Sequence, residues 1–160
     1  MYDFYFGSNK EIEKDSHKYL LSIKRMMPKW MNSIPDSEFL ALGDIAKKIK
    51  SKKSVFVETG CGASTLILLF YAMKNNGKLY TWEINQEKTS MIRSMCNETI
   101  SRYFKKNINN HWIAVNYLST SQYAGLQILS ELKEKINLFF HDSEHVLDVI
   151  LKELQMIKNI

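Results

Sequence analysis

Val55-Phe56-Val57-Glu58-Thr59-Gly60-Cys61-Gly62-Ala63-Ser64-Thr65 reads as a strand, a glycine turn and the start of a helix. A β-branched and aromatic run that is apolar on both faces suits a buried parallel strand. Gly60 and Gly62 let the backbone turn sharply and let a ligand approach with no Cβ in the way. Residues 64–75 then form a strongly apolar helix, which Gly77 is expected to end.

The same alternation continues toward the C-terminus. Residues 78–83 are a second strand ending in Glu83, and 86–104 a helix with Ile92, Met95, Ile100, Tyr103 and Phe104 facing a core. Residues 111–118 are a third strand, 121–135 a helix and 136–140 a fourth strand. His141-Asp142-Ser143-Glu144-His145 follows, then a last helix at 146–157. Two amphipathic helices precede the first strand. The first spans 11–27; the second, capped by Asp36 or Ser37, carries a stripe of Phe39, Leu40, Leu42, Ile45 and Ile49. Lysines cluster at its C-terminal end, where the helix dipole favours cations. Strands alternating with helices of this length imply right-handed parallel crossovers. The fold class is therefore α/β, a doubly wound parallel Rossmann-like sheet of order 3-2-1-4. An N-terminal helical segment (1–36) precedes the sheet domain (37–160).

Of the 160 residues, 45% are apolar and 24% charged, which excludes a disordered or collagen-like chain. The longest apolar run, residues 66–73, is far short of the ~20 residues of a membrane helix. Residues 1–10 lack the pattern of a signal peptide. Cys61 and Cys96 cannot alone build a disulfide framework or a zinc site, so a reducing, cytoplasmic setting is expected. The net charge is +5, but the basic residues are scattered and form no stripe with aromatics, so nucleic acid is not the expected partner.

The glycine turn is not a dinucleotide fingerprint, because Thr65 stands where its last glycine belongs. Nor is it a P-loop, lacking Gly-Lys-Ser/Thr. Glu58, immediately before the turn, suits a cationic or amine-bearing ligand better than a pyrophosphate. Glu83 ends the neighbouring strand, where a carboxylate can accept hydrogen bonds from ribose hydroxyls. Two acids at adjacent strand ends, one beside a glycine turn, point to a nucleoside site. The plainer alternatives are a tight turn without a ligand and a helix-capping acid.

These segments resemble the class I S-adenosylmethionine-dependent methyltransferases. The resemblance rests on residues 55–65, on Tyr80-Thr81-Trp82-Glu83, and on Phe139-Phe140-His141-Asp142-Ser143-Glu144-His145, which is similar to a stretch of small-molecule O-methyltransferases. It covers about residues 37–158. It implies that Glu58, Gly60, Cys61 and Gly62 border S-adenosylmethionine, with the glycines passing its methionine part. Glu83 would bind the ribose and Ile84 would pack on the adenine. Relatives often have an acid after the third strand; here Ser119 or Asn116 replaces it, or the contact is absent. Asp142 stands where metal-dependent relatives bind Mg²⁺, and His145 could take a proton from a substrate hydroxyl. Alternatively, Asp142 caps a helix and His145 is a surface histidine. His17 and His111 read as structural.

The implied activity is methyl transfer from S-adenosylmethionine to an oxygen of a small molecule, a sugar or secondary metabolite. The alternative is a non-catalytic cofactor-binding remnant or assembly subunit. A nicotinamide oxidoreductase is disfavoured by Thr65. The family sheet continues for three more strands, so strand four is expected to be an apolar edge that needs covering, with a homo-oligomer as one outcome.

Overall fold

A computed structural model describes residues 8–133, 135–143 and 145–160. Four parallel strands, β1 (Val55–Thr59), β2 (Lys78–Trp82), β3 (Trp112–Val115) and β4 (Ile136–His141), form one sheet in the order β3-β2-β1-β4. This is the order expected from the alternation of elements. Helices α1 (Asn9–Lys14), α2 (Ser16–Met26) and α3 (Asp36–Lys48) precede the sheet. Helices α4 (Ala63–Lys74), α5 (Gln86–Cys96), α6 (Ile128–Glu131) and α7 (Leu147–Lys158) follow β1, β2, β3 and β4 in turn. Among the described residues no helix is long and apolar enough to cross a membrane.

The central strand β1 is buried along its whole length, as its two-faced apolar composition requires. Helix α4 is apolar all round and buried from Ala63 to Met73, because α3 covers the side turned away from the sheet. One core layer joins α2, α3, α4 and α5 to that sheet face, with Phe39, Phe56, Leu66 and Trp112 at its centre. A smaller layer on the other face gathers Val57, Tyr80, Trp82 and Leu126 against α6 and α7.

Several local expectations are corrected. The first helix is two helices, because Asp15 leaves helical geometry and accepts from Lys18 N, capping α2. Pro35, not Asp36 or Ser37, takes the cap position of α3; Asp36 instead pairs with Lys24 at 2.7 Å and Arg25 at 3.0 Å. The helix expected over 86–104 does run to Phe104, through a π-helical turn at Asn97–Ser101. At the end of α4 it is Asn76 that takes the left-handed conformation (φ 54°). Gly77 is there for space: a Cβ would lie 1.9 Å from the Ser54 carbonyl oxygen.

The largest correction concerns 121–135, where among the described residues only α6 is helical. The Ser121 hydroxyl accepts from Tyr123 N and Ala124 N, and the Gln127 amide donates to the Ser121 and Gln122 carbonyls. These side chains compete for the backbone groups a helix would use. Strand β4 also differs from the buried strand its composition suggests, since every residue from Ile136 to His141 is half-buried at the sheet edge.

Candidate active site

The carboxyl ends of all four strands border one cavity of about 420 Å³, within the ~300–1,000 Å³ range of small-molecule sites. Gly60 follows β1, Glu83 and Ile84 follow β2, residues 117–120 follow β3, and Asp142 and Ser143 follow β4. Lys88 from α5 and Val149 from α7 complete the wall. A hollow of about 490 Å³ lies at the other end of β4, lined by Lys133, Lys135 and Ile136 among others. None of the sequence-derived site residues lines it.

Gly60 is fixed by two requirements. Its φ of +87° is a conformation that side chains disfavour, and a Cβ there would meet the Asp142 carbonyl oxygen at 2.1 Å. The close approach continues the pairing of β1 with β4, with Asp142 N donating to Thr59 O at 2.8 Å. The turn is further tied to β2. Cys61 N donates to Glu83 Oε2 at 3.1 Å, and Gly60 N donates to Trp82 O at 2.8 Å. Gly62 N donates to Thr65 Oγ1 at 3.0 Å.

Glu58 is fully buried and does not line the cavity. It accepts from the hydroxyls of Thr65 (2.7 Å), Thr81 (2.8 Å) and Ser64 (3.0 Å). Burial pushes its carboxyl up to about 7 against the opposing effect of these hydrogen bonds, and the nearby Asp142 charge adds to the rise. Glu58 thus holds the glycine turn, α4 and β2 together from beneath. Thr65, which breaks the dinucleotide fingerprint, serves that network.

Glu83 faces the cavity and is heavily used. Besides Cys61 N, it accepts from Asn85 N at 2.9 Å and from Lys88 Nζ at 3.2 Å. A carboxylate offers about four lone-pair positions, so one remains free, with a second available where a ligand displaces Lys88. Ile84 lines the cavity with 59% of its surface exposed, an apolar platform open to a ligand. Ser119 lines the cavity; Asn116 does not, its amide donating to Glu83 O and Thr89 Oγ1. Burial raises the Asp142 carboxyl above its usual range, with the Lys88 charge opposing the rise. His145 is exposed and outside the lining; its ring lies 6.1 Å from that of His141.

The donor set suits a nucleoside better than a metal. Among the described residues no group of three or more His, Cys, Asp or Glu could hold a metal ion, so Asp142 has no such companions among them. Burial pushes the Cys61 and Cys96 thiols up, so neither supplies a thiolate. His17 and His111 bond within the fold, to the Tyr71 hydroxyl and the Gly77 carbonyl respectively. Of the N-terminal aromatics, Tyr2, Phe4, Tyr5 and Phe6 lie outside the described residues, and Trp30 is exposed.

Sequence reasoning missed Lys88, His141, Ser143 and Glu153. Glu153, on α7, is fully buried and gathers four side chains. Its Oε2 accepts from Thr59 Oγ1 at 2.9 Å and from His141 Nδ1 at 2.6 Å. Its Oε1 accepts from the hydroxyls of Ser119 and, at 3.2 Å, Ser143.

A family model described as a methyltransferase domain matches residues 57–160. No curated protein matches the chain significantly. The match spans every residue that lines the cavity, and the chain belongs to this methyltransferase-domain family, with the class I, Rossmann-like architecture.

Proposed function

We propose that the chain transfers the methyl group of S-adenosylmethionine to an oxygen of a small molecule, a sugar or secondary metabolite. The observation that carries this reading is the convergence of Gly60, Glu83, Ile84 and Asp142 on one cavity at the carboxyl edge of a methyltransferase-family sheet. When bound there, S-adenosylmethionine supplies a methyl group activated by its sulfonium. Glu83 accepts hydrogen bonds from the ribose hydroxyls, and Ile84 packs on the base. The chain at Gly60, Cys61 and Gly62 passes the methionine part. Asp142 positions the acceptor, and His145 removes the hydroxyl proton as the methyl moves. Alignment of the two partners provides most of the rate enhancement. No step is assigned to Mg²⁺, since the described residues do not surround Asp142 with further ligands.

One observation favours cofactor binding without turnover: His145 is exposed and does not line the cavity. The deciding experiment is S-adenosylhomocysteine formation with a panel of hydroxylated acceptors. A methyltransferase gives acceptor-dependent product. His145→Gln then loses about 10²-fold or more in kcat, as expected of a general base, with cofactor affinity unchanged. Cofactor binding without product formation supports the remnant reading. The proposal includes a cytoplasmic setting, which the two buried free thiols suit.

A further inference from the structure

Glu153 binds four donors and touches no cavity space itself, yet two of its partners, Ser119 and Ser143, line the cavity beside Asp142 and Gly60. A serine hydroxyl has one proton and two lone pairs. Where a buried carboxylate holds the proton, the oxygen can offer its other side only as an acceptor. We propose that Glu153 is a positioning residue that turns Ser119 and Ser143 into an acceptor-only wall selecting the cationic centre of the ligand. The inference rests on the S-adenosylmethionine reading above and adds a specificity device to it.

The network has a built-in direction. Thr59 and His141 occupy the other carboxylate oxygen, at 2.9 and 2.6 Å, and fix the carboxylate plane. Oε1 is thereby left for the two serines, which come from the β3 and β4 ends. Charge at the wall is set by Asp142, whose carboxylate complements a cation, and by Lys88, which opposes one. Lys88 is held against Glu83 at 3.2 Å. Ser143 follows Asp142 directly in the chain, and both serines share the cavity lining with it.

An amide at position 153 preserves shape and reverses this polarity. With its oxygen kept toward His141 and Thr59, its NH₂ donates to the serines, and their protons turn outward to the cavity. A wall of donors repels a sulfonium and is indifferent to a thioether. The test is calorimetric titration of the full chain, wild type, Glu153→Gln and Ser119→Ala, with S-adenosylmethionine and S-adenosylhomocysteine. These ligands differ only in the charged centre and its methyl group. Thermal melting checks that each variant is folded. In both variants the affinity ratio should move against the sulfonium ligand, by about tenfold in Glu153→Gln, the equivalent of one hydrogen bond reversed. Parallel loss of both affinities would mean that Glu153 is merely structural, and an unchanged ratio in folded variants would likewise overturn the inference. If the wild type binds S-adenosylhomocysteine but the ratio does not respond, only this inference falls. If it binds neither ligand, the cofactor reading fails and this inference with it.

Discussion

Cys61 N donates to Glu83 Oε2 at 3.1 Å, so the glycine turn after β1 is anchored to the acid after β2. The same oxygen accepts from Lys88 Nζ. A ligand diol at Glu83 must compete with that ammonium while leaving the backbone anchor in place. Lys88→Met should therefore tighten S-adenosylhomocysteine binding severalfold, measured by calorimetry, because a partly exposed ion pair of this kind contributes only about 1 kcal/mol or less. Weaker binding by this variant would show that Lys88 itself contacts the ligand.

Gly60→Ala meets both obstacles at once, a left-handed backbone and the Asp142 carbonyl at 2.1 Å from the new Cβ. The conformational part alone costs about 1–2 kcal/mol, and the backbone clash adds to it. Chemical denaturation should show a loss of at least this size, together with loss of nucleoside binding. Gly62→Ala, whose Cβ would have only the Met31 carbonyl at 3.1 Å, should cost less.

Glu58 makes stability fall with pH. Its folded pKa is raised from 4.5 to about 7. Between these values the unfolded chain has released a proton that the folded chain keeps, so each pH unit removes up to about 1.4 kcal/mol of stability. Above pH 7 the loss is complete. Glu58→Gln should flatten the pH 4.5–7 segment of the stability curve, with its amide NH₂ turned to Ser64. Glu58→Ala leaves three buried hydroxyls without their acceptor and should destabilise at all pH values. A curve with the same slope in wild type and Glu58→Gln would assign that slope to another group.

The sheet order and the meeting of Gly60, Glu83 and Asp142 were legible because they follow from strand alternation and from side chains placed at strand ends. Glu153 was not legible. In Leu-Lys-Glu-Leu-Gln it reads as a solvated charge on an amphipathic helix, and only the β3 and β4 ends folding over α7 bury it. Lys88 was hidden similarly, since its pairing with Glu83 crosses a helix cap rather than following helical spacing. The supposed helix at 121–135 failed on polar side chains that bind nearby backbone, a competition periodicity does not register.

Leu147, Leu151 and Leu154 lie exposed along one face of α7, and strand β4 is a half-exposed edge of the sheet. Unpaired strand edges and apolar stripes favour association. We expect the chain to self-associate through this side. Sedimentation should show a concentration-dependent increase in mass that Leu151→Glu reduces. A monomer at all concentrations would contradict this expectation.

The proposed nucleoside site is tested most directly by calorimetric titration of the wild-type chain with S-adenosylhomocysteine and with NAD. Glu83 and the Gly60 turn, with Thr65 committed to Glu58 rather than absent for a pyrophosphate, lead to saturable one-to-one binding of S-adenosylhomocysteine and none of NAD at the same concentrations. Binding of NAD in preference, or of neither ligand by the folded protein, contradicts a methyl-donor site at the carboxyl edge of this sheet.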